Sequence, residues 1–201
     1  PIYGVIYVHA FGDHVQALDA ATGAELWHYA RQLPDTKRPS IKRNMALYGD
    51  KLYFGTSDVH VVALNAKTGA LVWDTPIAAD NSGFGLSGGP LVAHGKVMQG
   101  VNGQSPGGAY VVGLDAETGK EAWRFYSIAR PGEPGGDTWN GLPVDKRSGG
   151  SIWTGSLLCL LNHLGVGERA ARLALSRSSN SSWPTPIWCS NSRRRGLRDA
   201  R

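Results

Sequence analysis

The sequence has few cysteines, few charged residues and no long apolar run for its 201 residues. Its two cysteines, Cys159 and Cys189, both lie near the C-terminus, so residues 1–158 offer no thiol for a disulfide or a thiolate-bound metal. No apolar stretch approaches the roughly 18 residues that a membrane-spanning helix needs. We therefore expect no transmembrane segment, and no basic-then-apolar leader is recognisable in the sequence as given.

The formal net charge of +5 comes from one segment. Residues 157–201 contain eight arginines, no lysine and two acidic residues, whereas residues 1–156 contain 13 basic and 14 acidic residues. A nucleic-acid-binding domain normally carries a basic patch on its surface. Because the larger part of the chain is nearly neutral, we expect no nucleic-acid partner for it.

One eleven-residue pattern occurs three times, as ALDAATGAELW at 17–27, ALNAKTGALVW at 63–73 and GLDAETGKEAW at 113–123. The copies begin 46 and 50 residues apart, a period typical of propeller blades with four strands each. In each copy an apolar run leads to Asp or Asn, then to Thr-Gly and Trp. This order predicts a strand, a tight turn and a second strand.

Each element of the repeat has an expected structural role. Asp19, Asn65 and Asp115 are expected to bond the backbone of their turns, and the glycines that follow are expected to adopt positive φ. Each tryptophan is expected to lie on an outer strand and dock between neighbouring sheets. The sequence thus predicts an all-β fold, in which residues 1–156 form a partial propeller of about three blades that does not close a ring.

The repeat resembles that of the eight-bladed propeller quinoproteins, the methanol and alcohol dehydrogenases that use pyrroloquinoline quinone (PQQ). The stretch RFYSIARPGEPGGDTWNGLPVDKRSGGSIW at 124–153 is similar to the dehydrogenase segment that brings a tryptophan under the cofactor ring. The resemblance implies a periplasmic oxidoreductase that oxidises an alcohol or sugar by hydride transfer to PQQ, assisted by calcium, with a cytochrome or membrane quinone as electron acceptor. The alternative is a non-enzymatic propeller scaffold of the outer-membrane assembly type that binds protein partners.

The resemblance also implies a set of cofactor-binding residues. Trp139 matches the tryptophan on which the planar quinone stacks, and Arg43 matches an arginine that pairs with a cofactor carboxylate. Ser87 stands where the family has a hydroxyl donor, while Asn102 and Gly103 occupy a loop that touches the carboxylates. Each also has a structural interpretation, as a packing tryptophan, an exposed arginine or ordinary turn residues.

The sequence departs from the dehydrogenase pattern at three places. Lys37 and Arg38 replace the adjacent cysteines whose disulfide ring covers the cofactor in that family. Gln104 and Ser105 stand where a calcium-binding Glu is expected, which puts calcium in doubt because calcium prefers carboxylate oxygens. The family's catalytic Asp and second metal ligand fall beyond Ser156. We therefore predict no catalytic and no metal-binding residue, and an inactive isolated chain.

Residues 157–201 depart from the repeat altogether, since Arg, Ser and Leu replace its Gly-Asp turns. One interpretation is a basic tail that binds nucleic acid or acidic lipid, with a short helix over LLCLLNHLGVGERAARLALSR. The other is a slip of the reading frame after Ser156. Under both interpretations we expect a poorly ordered segment that does not form a blade.

Overall fold

The computed structural model describes residues 4–40, 42–79, 82–103 and 107–152. These residues form three antiparallel sheets, and the helical segments among them are two short 3₁₀ turns, Gly136–Trp139 and Val144–Lys146. None of the helical segments in these ranges is long and apolar enough to pass through a membrane. The strands are β1 (Val5–Ala10), β2 (His14–Asp19), β3 (Glu25–Ala30), β4 (Ala46–Tyr48), β5 (Lys51–Gly55), β6 (His60–Asn65), β7 (Leu71–Pro76), β8 (Leu91–Ala93), β9 (Lys96–Gly100), β10 (Tyr110–Asp115) and β11 (Glu121–Tyr126).

Each sheet is a meander of strands that are neighbours in the sequence. The first sheet contains β1 to β3, the second β4 to β7 and the third β8 to β11. The short strands β4 and β8 contact each other and lie at the inner edges of their sheets. The first sheet corresponds to the last three strands of the other two. This arrangement confirms the predicted all-β, incomplete propeller.

The corner that joins the last two strands has the same hydrogen bonds in every sheet. The Asp19 carboxylate accepts bonds from two backbone N–H groups of its turn, at 3.0 and 2.8 Å. Asn65 and Asp115 accept the equivalent bonds in the second and third sheets. The corner glycines have φ angles of 73°, 73° and 70°, at Gly23, Gly69 and Gly119. The predicted turn geometry is therefore confirmed in all three copies.

Two of the three repeat tryptophans dock on the corner of the next sheet. The indole N–H of Trp27 donates to the carbonyl oxygen of Ala66 at 3.1 Å. That of Trp73 donates to the carbonyl oxygen of Ala116 at 3.0 Å. Each ring also covers the corner glycine of the sheet on which it docks. The predicted role of the tryptophans is confirmed at both junctions between sheets.

Trp123 differs from its two counterparts. Its side chain is on the outer strand β11, as predicted, but it is 41% exposed. Its ring packs against Gly113 on the neighbouring strand, where an added Cβ would overlap the indole. The described residues provide no further corner on which Trp123 could dock, so the indole covers its own sheet instead.

The hydrophobic core lies between the sheets rather than within any one of them. The junction of the first and second sheets buries a small cluster formed by Val15, Leu52, Phe54, Val62 and Leu64. The junction of the second and third sheets buries a larger cluster that includes Tyr53, Trp73, Leu86, Val97 and Leu114. Burial of apolar surface at these junctions therefore holds the arc together.

The corner glycine adopts positive φ and also leaves room for the docked indole. Gly119→Ala and Gly23→Ala separate these two roles. Both variants place a side chain at positive φ, which costs about 1 kcal/mol. Only the Gly119 variant also puts a Cβ within 2.7 Å of the docked Trp73 ring, whereas the Cβ at residue 23 meets no atom within 4 Å. We expect Gly119→Ala to destabilise the chain by about 2 kcal/mol more than Gly23→Ala, because overpacking adds its own cost. Urea unfolding measures both, and equal costs would argue against the docking role.

Candidate functional site

The direction of the strands divides the connecting segments between two faces of the arc. The three Thr-Gly corners lie on one face, which we call the corner face. The opposite end of the sheets is what we call the loop face. It contains the segments that precede β4 and β8, the segment that connects β9 to β10 and the segment that follows β11. All five sequence-predicted cofactor residues belong to these loop-face segments, namely Arg43, Ser87, Asn102, Gly103 and Trp139.

Ser87 and Asn102 are in direct contact. The backbone N–H of Ser87 donates to the Asn102 side-chain oxygen at 3.0 Å. Gly85 and Asn102 also exchange two backbone hydrogen bonds, at 2.7 and 2.9 Å. The Asn102 carboxamide therefore positions the loop that carries Ser87.

Gly103 joins the same group of loops to the end of the described chain. Its backbone N–H donates to the Ser151 hydroxyl at 3.1 Å, and the N–H of Ile152 donates to the carbonyl of Val101 at 3.2 Å. Gly103 has a φ of 143°, and an added Cβ would lie 2.5 Å from the carbonyl oxygen of Gly83. Only glycine fits this close approach. We call residues 85–87, 101–103 and 151–152 the loop cluster.

Arg43 is connected to the loop cluster through its neighbour Lys42. The Lys42 ammonium donates to the carbonyl of Leu86 and to the hydroxyl of Ser40, both at 2.8 Å. Arg43 itself is exposed and lines a groove of about 830 Å³. The structure thus brings the segment of Arg43 next to the loop that carries Ser87.

Trp139 is held by a different set of contacts. It ends a 3₁₀ turn, and the guanidinium carbon of Arg147 lies 5.4 Å from the centre of its ring. Arg147 is buried and donates to the carbonyls of Ala129 and Leu142 at 2.8 and 2.9 Å. A cation–π contact inside its own loop therefore anchors Trp139, and its described ring contact is not with the loop cluster.

A second tryptophan is close to the loop cluster in the sequence. Ser151 and Ile152 belong to the cluster, and Trp153 is the next residue, in the segment GGSIW. Trp153 lies outside the described residues, as do Gln104 and Ser105, the positions expected for a calcium ligand. In the part of the chain that is described, no three His, Cys, Asp or Glu side chains converge in a way that could hold a metal ion.

Sequence reasoning missed a buried polar network on the loop face. Asp13 is fully buried and accepts a 2.6 Å bond from the backbone N–H of Ser57. The Ser57 hydroxyl accepts one from the N–H of Ser40 at 2.9 Å, and Ser40 in turn contacts Lys42. Burial alone would raise the pKa of Asp13, but His9 and the Ser57 N–H outweigh it and hold the pKa below its usual value. The network ties the turns of the first two sheets to the loop cluster.

Arg31 forms a clamp between the first and second sheets. Its guanidinium donates to the Asp58 carboxylate at 2.7 to 3.0 Å and to Asp74 at 2.9 Å. Burial disfavours the charged form of Arg31, yet its pKa is raised because the two carboxylates outweigh desolvation. A planar guanidinium suits such paired contacts. The only signals in the sequence are an Arg after the first repeat, an Asp in a turn and an Asp after the second repeat tryptophan, which are too common to identify a clamp.

Comparison with known proteins places this architecture in a family. The family model PQQ_2, described as "Outer membrane protein assembly factor BamB", matches residues 2–105, slightly more than half of the chain. The chain belongs to the PQQ propeller family. A second model, described as "PaaX-like protein", matches residues 144–190, most of which lie outside the described residues.

Several quinoprotein alcohol dehydrogenases are similar to this chain in sequence. Quinohemoprotein alcohol dehydrogenase ADH IIB of Pseudomonas putida is 37% identical over 168 residues, which cover 75% of this chain and 24% of that enzyme. Quinoprotein ethanol dehydrogenase of the same species is 42% identical over 131 residues, covering 60% of this chain and 21% of the enzyme. The solved structure of quinohemoprotein alcohol dehydrogenase ADHIIG from Pseudomonas putida HK5 superposes with a TM-score of 0.58 at 36% identity, over 66% of this chain and 21% of that one. The chain thus spans less than a quarter of the length of these relatives.

Lys42→Met is expected to remove one pH dependence of folding. Burial lowers the pKa of Lys42 from 10.5 to about 8 in the folded chain. Between these pH values the unfolded chain binds more protons, so stability rises with pH by up to about 3 kcal/mol. Below pH 8 Lys42 is charged in both the folded and the unfolded chain, so the full free-energy cost of burying its charge lowers the stability of the folded chain.

Urea unfolding at pH 7, 8, 9 and 10 measures this difference. The rise in the free energy of unfolding above pH 8 should be smaller in Lys42→Met than in the natural chain. Lys146→Met, which changes a lysine that is 69% exposed, should keep the full rise. A parallel pH profile for all three proteins would show that Lys42 is not desolvated.

Proposed function

We propose that this chain is a propeller segment of a PQQ-dependent alcohol dehydrogenase and that its loop face contributes part of the cofactor pocket. Arg43, Ser87, Asn102, Gly103 and Trp139 are the proposed cofactor-binding residues. The observation that carries the proposal is the loop cluster, where three separate segments meet beside Lys42, the neighbour of Arg43 in the sequence. The family relationship to quinoprotein alcohol dehydrogenases supports it.

The chemistry of these residues fits a planar trianion. PQQ carries three carboxylates, and the Arg43 guanidinium can bind one of them through two parallel hydrogen bonds. Lys42 adds a second positive charge beside it, and the Ser87 hydroxyl can donate to a carboxylate or carbonyl oxygen. The side-chain oxygen of Asn102 already accepts the bond from the backbone N–H of Ser87, so Asn102 would hold Ser87 in place and contact the cofactor through its side-chain NH₂ group.

When bound, the quinone supplies the hydride acceptor for oxidation of an alcohol or sugar. This chain's own contribution would be binding and orientation. Arg43 and Lys42 would fix the carboxylates, the Gly103 backbone would allow a close approach, and an indole would provide a stacking surface. Among the described residues, no three His, Cys, Asp or Glu side chains converge where calcium could bind. Periplasmic location, and a cytochrome or membrane quinone as electron acceptor, are part of the same proposal.

The alternative function is a non-enzymatic propeller scaffold that binds protein partners. The description of the matching family model, which names an outer-membrane assembly factor, favours this alternative. A scaffold has no need for two cations and a hydroxyl around one loop cluster. Binding of PQQ therefore separates the two proposals.

Titration of PQQ into the full chain by calorimetry tests the proposed pocket. We expect Arg43→Ala to bind PQQ about tenfold or more weakly, because a charged hydrogen-bonded pair is worth about 2 kcal/mol. Arg43→Lys should recover part of the loss, since it keeps the charge but not the two parallel bonds. Lys67→Ala, which removes one positive charge from the corner face, is the control and should bind like the natural chain. Absence of PQQ binding to the natural chain would favour the scaffold.

Trp139→Ala and Trp153→Ala identify the stacking residue in the same titration. Trp139 is the residue implied by the resemblance, whereas Trp153 follows the two cluster residues Ser151 and Ile152 in the sequence. If Trp139 stacks on the quinone, its variant should bind PQQ about tenfold more weakly, and the Trp153 variant should not. The reverse result would assign the role to Trp153 and exclude Trp139.

The isolated chain should not turn over alcohol. The expected proton acceptor falls outside the part of the sequence that follows the dehydrogenase pattern, and general base catalysis typically contributes a factor of about 10² to 10⁴. With PQQ, calcium, ethanol and a dye acceptor, we expect no dye reduction above that of free PQQ. A full-length quinoprotein ethanol dehydrogenase is the positive control, and sustained turnover by this chain would contradict the prediction.

A further inference from the structure

A second groove opens on the loop face, beside the junction of the second and third sheets. Its volume is about 620 Å³. Its described lining comes from the segment between β7 and β8, the loop that precedes β10, the strands β10 and β11 and the loop that follows β11. Both sheets at this groove contain four strands, so neither lacks a strand there. We call it the Arg130 groove.

Three aromatic side chains form one wall of the Arg130 groove. The ring centres of Phe84 and Tyr110 are 5.2 Å apart, and those of Tyr110 and Tyr126 are 5.8 Å apart, both in edge-to-face geometry. Tyr110 is buried and donates its hydroxyl to the carbonyl of Ile77 at 2.8 Å, which fixes the middle ring. We call these three residues the aromatic wall. Such a wall suits the apolar body of a planar ligand.

Two arginines lie against the rings of the aromatic wall. The guanidinium carbon of Arg124 is 4.2 Å from the ring centre of Tyr110, and that of Arg130 is 3.7 Å from the ring centre of Tyr126. Glu121 accepts two hydrogen bonds from Arg124, at 3.0 and 2.7 Å. In the part of the chain that the structure describes, the Arg130 guanidinium has no hydrogen-bond or ion-pair partner. Its N–H groups are therefore available to a bound anion.

The matching position at the first junction is closed by an ion pair within the chain. Asp74 and Arg124 correspond, since each directly follows its repeat tryptophan, and Arg31 and Ile77 correspond four residues after theirs. At the first junction Arg31 donates to Asp74 at 2.9 Å. At the second, Arg124 receives only the Ile77 carbonyl from the neighbouring sheet, at 3.4 Å. The second sheet thus provides a neutral oxygen where the first junction has a full ion pair.

The charge of the Arg130 groove favours a ligand with one negative charge. Glu121 already balances Arg124, so Arg130 supplies the charge that an anion would neutralise. Asp145 also lines the groove. A carboxylate matches a single guanidinium, which can bind it through two parallel hydrogen bonds. A phosphate dianion would bring excess negative charge close to Asp145.

We propose that the Arg130 groove binds a small aromatic carboxylate. The carboxylate pairs with the Arg130 guanidinium, and the ring of the ligand packs against Phe84 and Tyr126. None of the five proposed cofactor residues is among the described lining residues of this groove. The inference therefore does not depend on PQQ binding.

Fluorine NMR with para-fluorobenzoate tests this site on the full chain. We expect the probe to bind with a dissociation constant on the order of 1 mM, which is typical of so small a ligand. The amide para-fluorobenzamide has the same ring without the charge and should bind about tenfold more weakly. Absence of para-fluorobenzoate binding up to about 20 mM would overturn the proposal.

Two further ligands test the proposed chemical class. The dianion para-fluorophenyl phosphate should bind more weakly than para-fluorobenzoate, and tighter binding of the phosphate would overturn the assignment to carboxylates. Acetate, which has the charge without the ring, should displace para-fluorobenzoate only at a concentration about tenfold or more above that of benzoate. Equal competition by acetate and benzoate would show that the aromatic wall contributes nothing.

Matched arginine variants show whether the probe occupies the groove. Arg130→Gln should weaken binding of para-fluorobenzoate at least about tenfold, and Arg130→Lys should recover part of the loss because it keeps the charge. Arg38→Gln removes an exposed arginine that does not line the groove and should bind like the natural chain. Unaltered far-ultraviolet circular dichroism confirms that the variants fold. Equal binding by Arg130→Gln and the natural chain would contradict the proposal.

Arg43→Gln separates this site from the proposed cofactor pocket. If this variant weakens binding of para-fluorobenzoate and Arg130→Gln does not, the carboxylate enters the cofactor pocket and the inference is wrong. A loss confined to the Arg130 variants supports the Arg130 groove, whether or not the chain binds PQQ.

Discussion

The structure depends on one contact, in which an indole on the outer strand of one sheet donates to a carbonyl in the corner of the next. Trp27 and Trp73 make this contact with Ala66 and Ala116. Tyrosines on β1 and β5 donate to the same two carbonyls, at 2.9 and 3.2 Å, so each corner carbonyl receives two side-chain donors. Because the corner must leave room for a flat ring, glycine and the side-chain-bonded Asp or Asn follow from the same requirement. The sequence repeat thus follows from the same junction between sheets being formed several times.

The two junctions reach stability by different means. The junction of the second and third sheets has the larger apolar core, with Ile77 at the position where the first sheet has Arg31. The junction of the first and second sheets buries less apolar surface and adds the clamp of Arg31 on Asp58 and Asp74. A buried ion pair recovers its desolvation cost only when its hydrogen bonds are well made. The clamp meets that condition, and it also fixes the turns from which the loop-face network begins.

The sequence was sufficient to predict the arc but not the details of the site. Corners, strands and docking tryptophans were predictable because each copy repeats the same local chemistry at a nearly constant period. The contact of Ser87 with Asn102, and that of Lys42 with Leu86, join residues 15 and 44 positions apart in segments without a repeat. No periodic pattern encodes such contacts. They arise from how sheets stack, which brings irregular loops of different blades to one end of the arc.

The same stacking explains why residues on opposite sides of the arc are incompletely covered. In a closed propeller each sheet packs between two neighbouring sheets. An arc therefore has one end sheet whose corner is not covered by an indole, and another end sheet whose indole has no corner on which to dock. At Gly23 no side chain covers the corner glycine among the described residues, and at the far side Trp123 and Phe125 are 41% and 61% exposed. Since the corner and the indole are complementary in shape and hydrogen bonding, further blades of the same repeat are the surfaces that fit both sides.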